Sequence, residues 1–433
     1  MLRVLEEQLD NSVMTATHAR PSIFILGDYR QTLTVARTLH DKGFRTIVGS
    51  LSGPVTYCLH SRATCRAWNP DHSPAYRSRV GSSDHTDALL GFLKNNVDIE
   101  WIFPIGDSDV HYVQLHKNEF PDHVGVIAPD EKITRLCHDK TSCYELAADC
   151  RIPVAPYRPV RDSADLYEAF DAFGCPLVLK PAEVPNEFVG ENAYILSPKE
   201  DENQSELMEY IGSGATLLAQ KYFHGQRINC QFFAKNGVLE AYFEQLVIRT
   251  TRANLTGYCT EGISKPPSDR LQKHCKNLLA KLGYSGVGCI QFLVSESTSD
   301  IAFLELNPRL DANCALALYC GYDFPRMALD HARKGNSSEA DINMAARTYP
   351  SNRRSIWVTG AVEGVVHELR RHKINAIQAW YRMFHILRAV IISDVHITWS
   401  WKDPIPTLYI LYTLATKPIH KFIKTHKPKR SSQ

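Results

Sequence analysis

Gln291, Glu305 and Asn307 set one carboxylate and two amide oxygens into an otherwise apolar stretch, VGCIQFLVSESTSDIAFLELNPR. Hard oxygen donors of this kind suit Mg²⁺, with Mn²⁺ as the alternative ion. Mg²⁺ keeps part of its water and completes its shell with phosphate. Arg309 follows closely, and its planar fork suits a phosphate, a carboxylate or a developing oxyanion. Lys180 ends the apolar run CPLVLKPA, where core packing gives no reason for a charge. Lys140 comes directly after Asp139, and taken alone it fits an exposed helical lysine as well as a phosphate ligand.

The oxygen donors need two paired strands to bring them together. The pattern predicts strands over Val287–Val294 and Ile301–Leu306, joined by the polar turn Ser295–Asp300. Residues two apart on a strand face one side, so Glu305 and Asn307 project together and an antiparallel partner can present Gln291 to them. Lys180 ends a strand. Lys140 lies in a helical stretch, Asp130–Asp149, with Asp130 as its N-cap.

QFLVSESTSDIAFLELNPR resembles the metal-binding hairpin of the ATP-grasp ligases. Most members carry an acid at the first position. Gln there, fourteen residues before Glu305, is more similar to the large subunit of carbamoyl-phosphate synthetase. The resemblance implies ATP, Mg²⁺ held by Gln291, Glu305 and Asn307, and an acyl-phosphate intermediate. Lys140 and Lys180 would meet the ATP phosphates, and Arg309 would hold a carboxylate or the tetrahedral oxyanion. A hinge at Gln220, Lys221, Tyr222 and Phe223 would hold adenine through backbone groups, with Arg227 near ribose or phosphate. The substrates would be a small carboxylate and an amine. In place of the family's glycine-rich loop the chain has PAEVPNEFVGENAY, whose one glycine is Gly190.

The fold expected is α/β (α+β). After a polar leader, 1–20, strands and helices alternate (SIFILG, DYRQTLTVARTLHDKG, FRTIVGS) and argue for an open parallel sheet over 21–130. The resemblance makes this the pre-ATP-grasp domain and 131–335 the ATP-grasp unit, with a lid at about 150–217. Turns at Gly27-Asp28 and Asp107–Asp109 lie at strand ends where such sheets gather ligands, and fit ordinary caps equally well. A single glycine is not G-x-G-x-x-G, which argues against a nicotinamide site.

Residues 336–433 read as a mostly helical extension. Ser355–Gly364 looks strand-like, Lys373–Ile392 is an aromatic-rich amphipathic helix, and WSWKDPIPTLYILYTLA is too short to span a bilayer. The end, KPIHKFIKTHKPKR, holds six Lys/Arg and no acid. Its two readings are a solubilising tail on a packed subdomain and a peripheral membrane contact.

The chain has 433 residues, 44% of them apolar, and a net charge of +2, which argues against a nucleic-acid partner. Twelve cysteines without C-x-x-C or zinc spacing read as reduced thiols. The default expectation is a cytoplasmic protein, with the inner membrane face as its alternative. Three functions compete. The first is an ATP-dependent carboxylate–amine ligase, with a role in envelope or polysaccharide modification among its settings. The second is an enzyme releasing a carbamoyl- or acyl-phosphate-type product, and the third a nucleotide-binding scaffold without turnover. Oligomeric state is not legible.

Overall fold

The computed structural model describes residues 21–51, 55–69, 83–183, 193–196, 209–210, 212, 216–334 and 348–414. The leader, the basic end and the stretch 184–192 that replaces the glycine-rich loop lie outside them.

The first sheet is parallel, in the order β3-β2-β1-β4-β5. Its strands are β1 (Ser22–Leu26), β2 (Arg45–Gly49), β3 (Arg66–Trp68), β4 (Ile99–Pro104) and β5 (Gly125–Val126). β1 is buried along its whole length, as a central parallel strand covered on both faces must be. Helices α1 (Arg30–Asp41), α2 (Ser83–Lys94) and α3 (Asp107–His116) connect the strands. Gly27 ends β1 at φ +108°, and a Cβ there would stand 2.3 Å from an Asp109 carboxylate oxygen, so the turn requires glycine.

The expected helix over 130–149 is two helices, α4 (Glu131–His138) and α5 (Lys140–Asp149). Asp139 causes the break. It adopts an extended conformation and its carboxylate accepts the Thr141 N–H at 2.9 Å, capping α5. Lys140 thereby starts a new helix, with its own N–H donated to the Ala182 carbonyl.

A four-stranded sheet follows in the order β6-β9-β7-β8, with α6 (Ser163–Phe173) packed against it. Its strands are β6 (Tyr157–Val160), β7 (Leu177–Pro181), β8 (Tyr194–Leu196) and β9 (Leu217–Lys221). The proline-rich segment 151–160 supplies β6, an edge strand, where a missing N–H is tolerated.

The largest sheet has seven strands in the order β14-β13-β10-β11-β12-β15-β16. They are β10 (Gln226–Lys235), β11 (Val238–Thr250), β12 (Cys259–Lys265), β13 (Gly286–Val294), β14 (Ile301–Asn307), β15 (Arg354–Ile356) and β16 (Val395–His396). Cys230, Phe232, Ile290 and Phe292 pack against Leu271, Cys275 and Leu278 of α7 (Asp269–Leu282). Ser268 caps α7 as expected, and Gly283 ends it in the left-handed region. Helices α8 (Cys314–Tyr319) and α9 (Phe324–Lys334) then pack against α1.

The extension is helical, but two of its strands join this sheet. β15 pairs with β12 and β16 with β15. Only 354–356 of the expected strand forms, and α10 (Val358–Arg370) takes the rest. Ala361 and Val365 sit one helical turn apart and bury together. Gly364 lets α10 approach the Thr251 backbone, whose oxygen a Cβ would meet at 2.4 Å. α11 (Ala376–Ile392) and a helix over 405–414 complete the described chain. Among the described residues no helix is long and apolar enough to cross a membrane, and all twelve cysteines are free.

Candidate active site

β13 and β14 pair antiparallel in a register that sets Gln291 opposite Glu305 and Cys289 opposite Asn307. Glu305 and Asn307 share a face, and the Asn307 amide donates to Glu305 Oε1 at 2.8 Å. Beside them lies a cavity of about 20 Å³ bordered by Asp107, His138, Lys140, Tyr144, Glu305 and Asn307. That is room for one water or small ion. Gln291 does not border it; it stands one strand further in, nearly buried. The donor chemistry fits Mg²⁺, with one carboxylate and amide oxygens close by. No cluster of three or more His, Cys, Asp or Glu that could hold a metal occurs among the described residues, so such an ion depends on further oxygens from a ligand.

Two lysines on different elements lie near enough to this carboxylate for its charge to act on both. Lys180, on β7, is buried, and its ammonium donates to Gln220 Oε1 at 2.8 Å and to the Tyr144 hydroxyl at 3.3 Å. Burial lowers its pKa to about 8, against the pull of Glu305 and with a further push from Lys140. Lys140 donates from Nζ to the Pro181 carbonyl at 2.8 Å. Burial lowers it too, opposed by Glu305 and Asp107. Two cations held in a partly desolvated site with a single carboxylate form a place where a polyanion is favoured.

Arg309 is a correction to the expectation. Its guanidinium is not open to a substrate, because it forks onto Asp107 through two bonds of 2.8 Å. Burial alone would lower its pKa, and the Asp107 carboxylate outweighs that and raises it. The pair ties α3 of the first sheet to the loop leaving Asn307, and so holds the hairpin end in place.

Of the residues expected to form a hinge, Gln220 and Lys221 end β9, and Tyr222 and Phe223 follow where the chain passes from the four-stranded to the seven-stranded sheet. Lys221 is exposed, its N–H donated to the Pro156 carbonyl, and Tyr222 packs edge-on to His224 at 4.7 Å. Phe223 is partly buried. The Gln220 side chain turns inward, to Lys180 and the Ala155 carbonyl. Arg227 starts β10 and donates to the Gly257 carbonyl at 3.1 Å, which directs it to the 250–258 loop. Asp28, flagged at a strand end, instead accepts the N–H groups of Thr56, Tyr57 and Cys58 and orders that loop.

A polar band went unread in the sequence. Across five strands Glu305 pairs with Gln291, Gln291 with Asn229, Asn229 with Gln245, and Gln245 with Ser264. Directly opposed residues share a face. Asp311 accepts from Asn229 at 2.9 Å, and buried Arg30 sits over the Trp357 ring at 4.0 Å while donating to the Ala312 carbonyl. Arg227 Nε, Asn229 Oδ1, Gln231 Oε1 and Asn313 Nδ2 are buried with no hydrogen-bond partner. The signal was Arg-x-Asn-x-Gln at residues 227–231, a period-two polar run in an apolar strand.

Residues 240–335 match the family described as carbamoyl-phosphate synthase L chain, ATP binding domain, and that segment contains the whole hairpin. N5-carboxyaminoimidazole synthetase from Staphylococcus aureus, complexed with ADP, gives a TM-score of 0.59 at 13% identity, covering 81% of this chain and 86% of that one. This chain shares its fold. A biotin carboxylase–β-γ-ATP complex from Campylobacter jejuni also gives 0.59, at 16% identity over 77% of this chain and 74% of that one. The biotin carboxylase domain of Hydrogenobacter thermophilus 2-oxoglutarate carboxylase, with MgADP and bicarbonate, gives 0.58 at 16% identity, covering 77% and 73%. No curated protein matches the sequence. Identities this low establish the ATP-grasp fold alone.

Proposed function

We propose that this protein is an ATP- and Mg²⁺-dependent ligase that activates a carboxylate as an acyl phosphate and joins it to an amine. The observation that carries this is the small cavity bordered together by Lys140, Glu305 and Asn307, with buried Lys180 beside its wall at Tyr144. Lys140 and Lys180 bind and orient the ATP phosphates. Glu305 and Asn307, with Gln291 behind them, would hold Mg²⁺, which supplies charge neutralisation when bound. Asp107 keeps Arg309, and with it the hairpin end, in position.

A substrate carboxylate oxygen attacks the γ-phosphorus, ADP leaves, and an acyl phosphate forms. The amine then attacks the acyl carbon, phosphate departs, and the amine proton is lost to solvent. Positioning and electrostatics do most of this work, so no side-chain nucleophile is required. The acceptor side is the polar band, where Arg30 and Arg227 suit a substrate bearing an anionic group and the unpartnered amides await hydrogen bonds.

The test is an ADP-release screen against panels of carboxylic acids and amines with Mg²⁺-ATP, followed by ¹⁸O-labelled carboxylate. Transfer of one ¹⁸O from the carboxylate into inorganic phosphate supports the acyl phosphate. ADP release with unlabelled phosphate overturns it, and ATP binding without ADP release selects the scaffold reading.

A further inference from the structure

α11 is packed the opposite way from most surface helices. Its buried stripe is narrow, Ala379, Ile386 and Ala389, the first two clustered with Ala361 and Val365 of α10. Its outer stripe carries the large apolar side chains: Ile377 is 80% exposed, Trp380 73%, Phe384 54% and Ile391 76%, with Tyr381 and Leu387 between them. These positions recur at three- and four-residue intervals and make a continuous face. Trp380 and Phe384 stack on each other at 6.4 Å, which orders the face without covering it. Trp401, 86% exposed and next to Lys402, adds a second such site, and the 405–414 helix leaves Ile405 and Leu408 outward. Soluble monomers rarely expose so many contiguous large apolar groups.

Charge indicates the occupant. Residues 369–433 hold twelve Lys/Arg and two acids, a formal charge of +10, in a chain whose total is +2. Both acids are neutralised at home, Asp394 by Arg353 and Asp403 by Arg37. Arg370, Arg371 and Arg388 are exposed around the apolar face. Arg382 on α11 is paired with Glu368, but aromatic and aliphatic groups flanked by the exposed cations match the interface of an anionic bilayer, where Trp and Tyr sit at headgroup depth and Lys/Arg meet phosphate.

We propose that the outer face of α11, with Trp401, docks the protein on an anionic lipid surface as a peripheral, non-spanning contact. This contact is independent of the ATP site. Each cation brought to such a surface raises partitioning about fivefold, so the contact is strong at low salt and weak at high salt.

The full chain is co-sedimented with phosphatidylglycerol-containing and pure phosphatidylcholine vesicles at low and high salt. The expected result is binding to the anionic vesicles alone, weakened at high salt. Trp380→Glu with Phe384→Glu should reduce it about tenfold or more while circular dichroism stays unchanged. Brominated lipid should quench Trp fluorescence in the wild type and less in Trp380→Phe. No binding at low salt, equal binding to both vesicles, or binding that only deletion of 417–433 reduces would overturn the face as a docking surface. Burial of the face in a dimer, shown by a sedimenting dimer that the double variant converts to monomer, would overturn it also.

Discussion

The region around Glu305 and the C-terminal extension break the usual inside–outside rule in opposite senses. Around Glu305 the chain draws Lys140, Lys180, Asp107 and Arg309 out of water, and each charge has a partner within reach. On α11 it leaves Trp380, Phe384 and Ile391 in water, with the smaller residues turned inward. A desolvated cation costs stability unless an anion compensates, and in the first region Glu305 and Asp107 supply that compensation. An exposed apolar face costs the fold little, and its unrealised stabilisation lies in whatever covers it. The two regions therefore respond differently to substitution.

The largest effect is expected at Glu305. Glu305→Ala should reduce Mg²⁺-dependent ADP release by on the order of 10²- to 10³-fold, because a lost carboxylate leaves amide oxygens alone for the cation. The circular dichroism spectrum and melting temperature should stay near wild type. Turnover persisting in this variant would remove the hairpin from the reaction.

Lys180→Met sharpens the contrast, since it keeps the stem and deletes the charge. Loss of a charge-assisted phosphate contact of about 1.5–3 kcal/mol should weaken ATP roughly 10- to 150-fold. Stability should move the other way. A lysine held at about 8 when folded, below its ordinary 10.5, destabilises the fold below pH 8. That cost fades as pH rises from 8 to 10.5, where the unfolded chain binds more protons. At pH 7 Lys180→Met should therefore be at least as stable as wild type by thermal denaturation. Unchanged ATP affinity, or a large drop in melting temperature, would make Lys180 structural.

The same shift sets a pH dependence for the ligand. The protonated lysine binds phosphate, so affinity is full below about pH 8 and falls as pH rises through it, by about tenfold between pH 7 and 9. Calorimetric titration across that range should show proton uptake on binding near pH 9, absent in Lys180→Met. Flat affinity would place the lysine's titration elsewhere.

Asp107→Asn should lower turnover several-fold, by loosening the Arg309 latch from the hairpin end, while ATP affinity changes less. Equal loss of both would show that Asp107 acts on nucleotide directly. The smallest effect is expected on the outer face of α11. Trp380→Ser should change folding stability within about 0.5 kcal/mol, because little of its contact is internal.

Much of this was legible because it is local. The hairpin register follows from strand periodicity and turn length, and the structure pairs Gln291 with Glu305 as that pattern requires. Ser268 and Asp130 cap their helices for the same reason. What failed is what local pattern leaves undetermined. An apolar stripe on α11 predicts an amphipathic helix and not which stripe turns inward; burial of Ala379 and Ile386 is decided by their packing with Ala361 and Val365 of α10. Arg309 reads as a free fork until Asp107, two hundred residues away in the chain, is seen to hold it. The break at Asp139 was visible as a cap residue but was overridden by helical periodicity on both sides.

The claim that this site is built for Mg²⁺-ATP is tested most directly by calorimetric titration of ATP into the full chain, with Mg²⁺ and then with excess EDTA, in wild type and Glu305→Ala. The account predicts saturable binding in Mg²⁺ that weakens at least tenfold in EDTA, and a Glu305→Ala variant whose affinity no longer responds to the metal. Equal wild-type binding with and without Mg²⁺, or no ATP binding at all, would contradict it.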